Sequence, residues 1–131
     1  MDMKTDLSYD ADNRLMTVTA IGEVTVEGVL ATTEQIIAAK GTPADADAIW
    51  DLSGAALNRI DFTFLQEFHK KRSAIDELRG VCLVAIIIPS GVYETLFKLW
   101  KTLSADLRQT TEVFADLQAA KTWIGHDRDR A

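Results

Sequence analysis

The stretch that decides the fold class is I-W-D-L-S-G-A-A-L-N-R-I-D-F-T-F-L, residues 49–65. A short apolar run ends at Trp50 and Asp51, small residues follow, and a helical pattern begins at Asp61. This order predicts a buried strand, a loop and a helix N-terminus, which is where α/β proteins often place functional groups. The loop is therefore the first candidate site for a partner or ligand. Its polar side chains are Asp51, Ser53, Asn58, Arg59, Asp61 and Thr63.

Strands and helices alternate on both sides of this stretch. Residues 4–9 and the alternating residues 15–21 predict an antiparallel hairpin, and Thr25 is placed to cap a helix that reaches about Ala39. Residues 81–88 are apolar throughout, which predicts an interior strand covered on both faces. The predicted fold class is α/β: a mixed sheet with an initial antiparallel hairpin, then β-α repeats with parallel strands, about five strands and four helices.

A second candidate site is the apolar face of a helix predicted over residues 92–107. Its members recur at helical spacing and are Tyr93, Leu96, Phe97, Trp100, Leu103 and Leu107. Such a face can cover the sheet, enclose an apolar small molecule, make a peripheral membrane contact, or form a homodimer, and the sequence leaves these alternatives open. Pro89, Ser90 and Gly91 precede the helix and would be its hinge.

Asp61 is placed to cap the next helix, which carries both an apolar stripe and a basic run. The stripe consists of Phe64, Leu65, Phe68 and Ile75. The basic run, residues 69–72, is predicted to be a solvated helix face with Glu67 and Asp76 as partners. The alternative for this run is contact with an anionic headgroup or with the acidic patch of a partner.

The last elements are predicted from shorter patterns. Residues 112–114 predict a short last strand, and Asp116 is placed to cap a final helix. The predicted inner face of that helix carries Leu117, Ala120, Trp123 and Ile124. A polar tail from about residue 126 is expected to be frayed. With 131 residues, the chain is expected to form a single domain over residues 1–131.

Composition excludes several classes of function. The net charge of −6 argues against nucleic-acid binding, which usually needs a basic face. The single Cys82 lies among apolar residues, which predicts a buried structural thiol in a reducing compartment. The N-terminus has no pattern of a signal peptide, and the longest apolar run falls short of the ~20 residues that span a bilayer. A cytoplasmic protein is therefore expected.

The chain lacks the residue patterns of catalytic and metal sites. His69 and His126 are isolated from each other, so no metal site and no cofactor are predicted. Asp51 and Ser53 lie close together, but nucleophilic catalysis would need a positioned histidine beside them. We therefore predict that the chain is not an enzyme, that it has no catalytic residues, and that Asp51 accepts backbone N–H groups and fixes its turn.

Four motifs in order resemble the SpoIIAA-like proteins, which have the fold of STAS domains and anti-anti-sigma factors. They are G-E-V-T after the hairpin, I-W-D-L-S-G-A in the decisive stretch, R-G-V before the apolar strand, and V-F-A-D-L-Q-A-A-K-T-W-I near the end. The resemblance covers nearly the whole chain, roughly residues 9–124. It implies a regulatory or binding domain that meets a protein partner through the loop of residues 53–63 and the following helix.

In anti-anti-sigma factors, a phosphorylated serine follows an aspartate at the start of that helix. Asp61 matches this aspartate, but Phe62 occupies the acceptor position, which leaves Thr63 and Ser53 as the phosphoacceptor candidates. The SpoIIAA-like group also shares a general shape with lipid-carrying CRAL-TRIO domains. The resemblance therefore implies an alternative: a module that binds an apolar ligand or lipid, or associates with a membrane, through the helix of residues 93–107.

Overall fold

The computed structural model describes residues 2–88 and 94–130, with side chains up to residue 125. The strands are β1 (Lys4–Asp10), β2 (Leu15–Glu23), β3 (Asp47–Asp51), β4 (Ala55–Ala56), β5 (Cys82–Ile87) and β6 (Gln109–Phe114). The helices are α1 (Val26–Ala38), α2 (Phe62–Ser73), α3 (Asp76–Arg79), α4 (Glu94–Leu103) and α5 (Leu117–Arg130).

The strands form one mixed sheet in the order β1-β2-β3-β5-β6, and the short β4 pairs with β2. The pair β1/β2 is antiparallel, and the other pairs are parallel. The predicted fold class is confirmed. The structure adds β4 and α3 to the predicted elements, because segments of two and four residues are too short to leave a periodic pattern in the sequence.

Helices cover both faces of the sheet. On one face α1, α2 and α4 form the larger core with residues such as Ile36, Leu65 and Phe97. On the other face α5 packs with Ala120 and Ile124 against a smaller set of sheet residues. The period of two along each strand divides the side chains between these two cores. The interior strand predicted over residues 81–88 is confirmed for Cys82–Ile87, because β5 lies between β3 and β6 with a core on each face. Val81 lies before the strand and is 75% exposed, so it was wrongly included in the covered run.

The three predicted N-caps are confirmed. The side chain of Thr25 accepts a hydrogen bond from Gly28 N at 3.0 Å, and Asp61 accepts one from Phe64 N at 2.8 Å. Asp116 accepts one from Ala119 N, also at 2.8 Å. Each cap satisfies one of the N–H groups that a helix start leaves without an intrahelical partner. Short polar residues before an apolar pattern therefore located these helix starts correctly.

The predicted helix over residues 92–107 is shorter in the structure. α4 ends at Leu103, and the chain continues in turns, with Leu107 N donating to Ser104 O at 2.9 Å. Ser104 and Asp106 are residue types that favour turns over helix interiors, because their side chains can compete with the helix for backbone hydrogen bonds. Leu107 still packs against the larger core. Residues 89–93, with the predicted hinge and Tyr93, lie outside the described residues.

The C-terminal elements also differ from the prediction. β6 begins at Gln109 rather than at residue 112, because residues 109–111 already pair with β5. Leu117 was wrongly placed on the inner face of α5, since its side chain is 41% exposed. α5 continues to Arg130 and so includes the polar tail from about residue 126, whose expected fraying stays a prediction.

A break between α2 and α3 interrupts the predicted stripe. α2 ends at Ser73, so Ile75 belongs to the link between two helices and not to one continuous face. After α3, Gly80 adopts φ 80° and ψ −171°, a conformation that is essentially limited to glycine. Its N–H donates to Asp76 O at 3.0 Å, and the chain then enters β5. Gly80 thus sets the direction from α3 into the interior strand.

We expect Gly80→Ala to lower the free energy of unfolding by about 1–3 kcal/mol, because the alanine must adopt a strained backbone. A Cβ at this position would also lie 3.2 Å from Asp45 Cβ. Gly125→Ala is the matched control in α5, where a Cβ would meet no atom within 4 Å. It should raise the stability by about 0.5–1 kcal/mol. Urea denaturation measures the free energy of unfolding of both variants. Equal effects of the two substitutions would contradict the conclusion that the backbone at Gly80 requires glycine.

Candidate functional site

A partly open cavity of about 110 Å³ lies in the larger core, between the sheet and the helices on that face. Apolar and aromatic side chains form most of its wall: Val24, Val29, Trp50, Leu52, Ile60, Phe64, Leu65, Phe68, Val84, Ile86, Phe97, Trp100 and Leu107. Polar residues complete it: Thr33, Arg72, Arg79, Ser104, Gln109 and Thr111. This combination of an apolar wall and a few polar groups is typical of small-molecule sites.

The second candidate site contributes directly to this cavity. Phe97 and Trp100 of α4 line it and are only 5% and 7% exposed. Leu96 and Leu103 are partly buried and pack against the same core. The predicted apolar face of this helix therefore covers the sheet in the structure, and two of its members surround an internal space.

Aromatic rings of α2 pack against α4 beside the cavity. The ring centroids of Phe68 and Trp100 lie 5.0 Å apart, and those of Phe64 and Phe68 lie 6.4 Å apart. The ring centroids of His69 and Trp100 lie 6.2 Å apart, and His69 Nε2 is 2.8 Å from Asp106 Oδ1. The hydrogen bond between His69 and Asp106 lowers the pKa of the Asp106 carboxyl. α2 and the turn after α4 are thus joined at the surface as well as in the core.

One end of the cavity is polar and deeply buried. Arg72 Nη2 donates to Gln109 Oε1 at 2.7 Å, and Gln109 Nε2 donates to Gly80 O at 2.7 Å. Arg79 Nη1 donates to Ala44 O at 2.6 Å. The guanidinium groups come from two helices, whereas Gln109 is the first residue of β6. Residues distant in sequence are therefore joined by hydrogen bonds at this end of the cavity.

The predicted solvated basic face is correct only in part. Lys71 does pair with Glu67, at 2.9 Å, but Arg72 is 94% buried, and Asp76 binds Arg108 instead of the basic run. Asp76 accepts hydrogen bonds from Arg108 N and from Arg108 Nη1, at 3.1 and 3.2 Å. Helical spacing could have revealed Arg72, because it follows Leu65 and Phe68 by seven and four residues on the buried stripe.

Burial affects the titration of two groups at this end. Desolvation lowers the pKa of Arg72; the nearby charge of Asp76 opposes this shift, and that of Arg79 adds to it. Desolvation also raises the pKa of the Cys82 thiol to about 11. Cys82 is buried, as the sequence predicted, and a thiol with so high a pKa is largely protonated at neutral pH.

Several polar side chains of the loop bind each other or bind Glu23, the last residue of β2. Asp51 Oδ1 accepts hydrogen bonds from Ser53 N at 3.0 Å and Ser53 Oγ at 2.6 Å, which confirms that Asp51 fixes its turn. Asn58 Nδ2 and Arg59 Nε contact Glu23 Oε1 at 3.2 and 2.9 Å. These contacts, led by the one from Arg59, lower the pKa of Glu23. Sequence reasoning missed Glu23, which lies on a distant strand.

The outer surface of the loop is open rather than concave. Thr63 is exposed in the first turn of α2, beside the exposed Phe62, and Asp61 is occupied as the N-cap. A shallow depression next to the loop is lined by Gly22, Glu23, Gly54, Ala56 and Asn58. The six predicted loop residues therefore do not converge on one enclosed site.

Among the described residues, neither a metal cluster nor a membrane-spanning helix is present. No group of three or more His, Cys, Asp or Glu side chains in these ranges is arranged to hold a metal ion. Within the same ranges, no helix has both the length and the apolar character to cross a membrane. The side chain of His126 lies outside the described part.

The arrangement of sheet and helices matches a solved structure over most of its length. An uncharacterized protein of the DUF3478 family with a SpoIIAA-like fold, from Shewanella loihica PV-4, aligns with a TM-score of 0.59. The alignment covers 93% of this chain and 93% of that one. This chain has a SpoIIAA-like fold. The sequence identity is 17%, so the likeness concerns the fold. No family model matches the sequence, and no match was found among curated proteins.

We expect Asp61→Ala to lower the free energy of unfolding by about 1 kcal/mol, because α2 loses its N-cap hydrogen bond. Thr63→Ala is the matched control two residues further on, at an exposed position in the same turn. Its effect should stay within about 0.5 kcal/mol. Thermal and urea unfolding measure both variants. A loss for Thr63→Ala as large as that for Asp61→Ala would contradict the assigned role of Asp61.

Proposed function

We propose that the chain is a non-enzymatic SpoIIAA/STAS-like binding domain that holds a small apolar ligand between α4 and the sheet. The observation that carries the proposal is the partly open cavity with a largely apolar and aromatic wall. Protein cores are usually close-packed, so a space of this size among core side chains is a feature that needs a reason. Burial of each CH₂ group of a ligand there would contribute about 0.8 kcal/mol to binding.

The size of the cavity limits the ligand. Its volume is about 110 Å³, whereas an engineered apolar cavity of about 150 Å³ binds benzene. A short alkyl chain or a small ring is therefore the largest group that fits without rearrangement. A longer lipid chain would require α4 to move away from the sheet, and the predicted hinge at residues 89–91 stays a prediction.

The composition of the wall favours binding over catalysis. Among the described residues that line the cavity, the ionisable side chains are Arg72 and Arg79. Neither is a group that exchanges protons near neutral pH, as general acid–base catalysis requires. The polar groups thus suit the orientation of a ligand rather than its conversion.

Other uses of α4 have less support. A membrane contact or a homodimer through its apolar face would need Phe97 and Trp100 at the surface, but both are buried. A protein partner at the loop of residues 53–63 stays a prediction, as does phosphorylation of Thr63 or Ser53. Ser53 Oγ already donates to Asp51, so a phosphate there would lie beside a carboxylate and be disfavoured electrostatically.

Tryptophan fluorescence provides the test. Trp50 and Trp100 line the cavity, whereas Trp123 packs on Phe114 at the other face of the sheet, so the Trp123→Phe variant reports from the cavity alone. We expect hexanol and benzene to change its emission saturably. Each compound should also raise the melting temperature. A free ligand concentration about one hundred times its Kd should increase the free energy of unfolding by about 2.7 kcal/mol.

Two substitutions on β5 supply the control. Val84→Phe would fill part of the cavity, whereas Leu83→Phe adds the same ring on the opposite face of the strand. We expect Val84→Phe to abolish the saturable response and Leu83→Phe to retain it. A folded Trp123→Phe protein that responds to neither compound would overturn the proposed function.

A further inference from the structure

Two buried guanidinium groups at the polar end of the cavity have donors without acceptors. Arg72 and Arg79 are 6% and 2% exposed, and both residues line the cavity. Arg72 Nη1 and Arg79 Nη2 have no hydrogen-bond partner among the described residues. A buried donor that lacks a partner costs free energy, and the cost is greater when the group is charged. These two atoms are thus buried donors without a partner, on residues that line a mainly apolar cavity.

The local charge around Arg72 is also incompletely balanced. No described carboxylate forms a salt bridge with Arg72, and its partner Gln109 is neutral. Asp76, whose charge acts on Arg72, accepts three hydrogen bonds from Arg108. Arg79 adds a second positive charge close enough to act on Arg72. The polar end is therefore short of acceptors for its guanidinium groups.

We infer that this end binds the carboxylate of a small apolar acid, whose hydrocarbon part occupies the rest of the cavity. The inference rests on the proposed function and names the chemical class of its ligand. A carboxylate has two oxygens, and Arg72 Nη1 and Arg79 Nη2 offer one free donor group each. Charge-assisted hydrogen bonds of this kind are about twice as strong as neutral ones.

A carboxylate fits this space better than a phosphate. A phosphate monoester carries a charge of about −1.5 to −2 and three acceptor oxygens. The surrounding wall is mainly apolar, so burial of the additional charge would cost more free energy than burial of a single carboxylate. The small volume also favours the smaller headgroup. The expected ligand is therefore a short aliphatic or small aromatic acid.

Titration of the wild-type protein with hexanoate, hexanol and hexylamine tests the headgroup, since the three probes share one alkyl chain. We expect hexanoate to bind about tenfold more tightly than hexanol, or more, and hexylamine to bind more weakly than both. Hexanol that binds as tightly as hexanoate would overturn the inference while leaving the proposed function intact. Hexyl phosphate that binds more tightly than hexanoate would overturn the assignment of a carboxylate.

Substitutions test whether Arg72 supplies the preference. Arg72→Met should reduce the hexanoate-to-hexanol affinity ratio to near one, whereas Lys70→Met removes a charge from an exposed neighbouring position and should leave it unchanged. Arg72→Lys keeps the charge but loses the forked geometry, so it should show an intermediate hexanoate-to-hexanol affinity ratio. This variant replaces Arg72→Met in the test if Arg72→Met does not fold. A folded Arg72 variant with the full wild-type ratio would overturn the inference. If no probe binds at all, the proposed function fails as well.

Discussion

The hydrogen bond from Arg72 to Gln109 is the interaction on which the polar end of the cavity depends. It joins the last turn of α2 to the first residue of β6, and Gln109 extends the connection to the backbone of Gly80. Both side chains are buried, so loss of either would leave a polar or charged group without its partner in a low-dielectric interior. The bond therefore constrains where α2 ends and how β5 and β6 begin.

The same constraint explains why hydrophobic packing leaves a space at this place. Leu65 and Phe68 bring α2 onto the sheet, and the stripe that they begin continues to Arg72. A guanidinium group cannot fill an apolar space as an aliphatic side chain does, because its N–H groups need acceptors. Phe97 and Trp100 close the wall from α4. A largely apolar cavity with a cationic end is the result.

Local sequence signals were sufficient for most of the fold. Thr25, Asp61 and Asp116 marked three helix starts, because an N-cap acts within three residues of its own position. Alternation and apolar runs gave the order of the main strands and hence the mixed sheet. β4 and α3 were missed because they are too short for periodicity, and the early end of α4 depends on turns around Ser104.

The site was less predictable because its contacts are distant in sequence. The apolar wall from α4 followed from helical spacing, but the partnership of Arg72 with Gln109 spans 37 residues. A charged residue within a basic run was interpreted as solvated, although its spacing placed it on the buried stripe. Glu23 illustrates the same difficulty, since its contacts with Asn58 and Arg59 depend on the folded sheet and loop.

A crystal structure of the protein with 5-bromopentanoate would show directly whether the polar end of the cavity binds a carboxylate. In this compound bromine replaces the terminal methyl group of hexanoate, so its anomalous signal locates the end of the chain. We expect the carboxylate within hydrogen-bond distance of Arg72 and Arg79, with the bromine among Phe97, Trp100 and the other apolar wall residues. A carboxylate located elsewhere, with neither guanidinium group bound to it, would overturn the assignment of the polar end as its site.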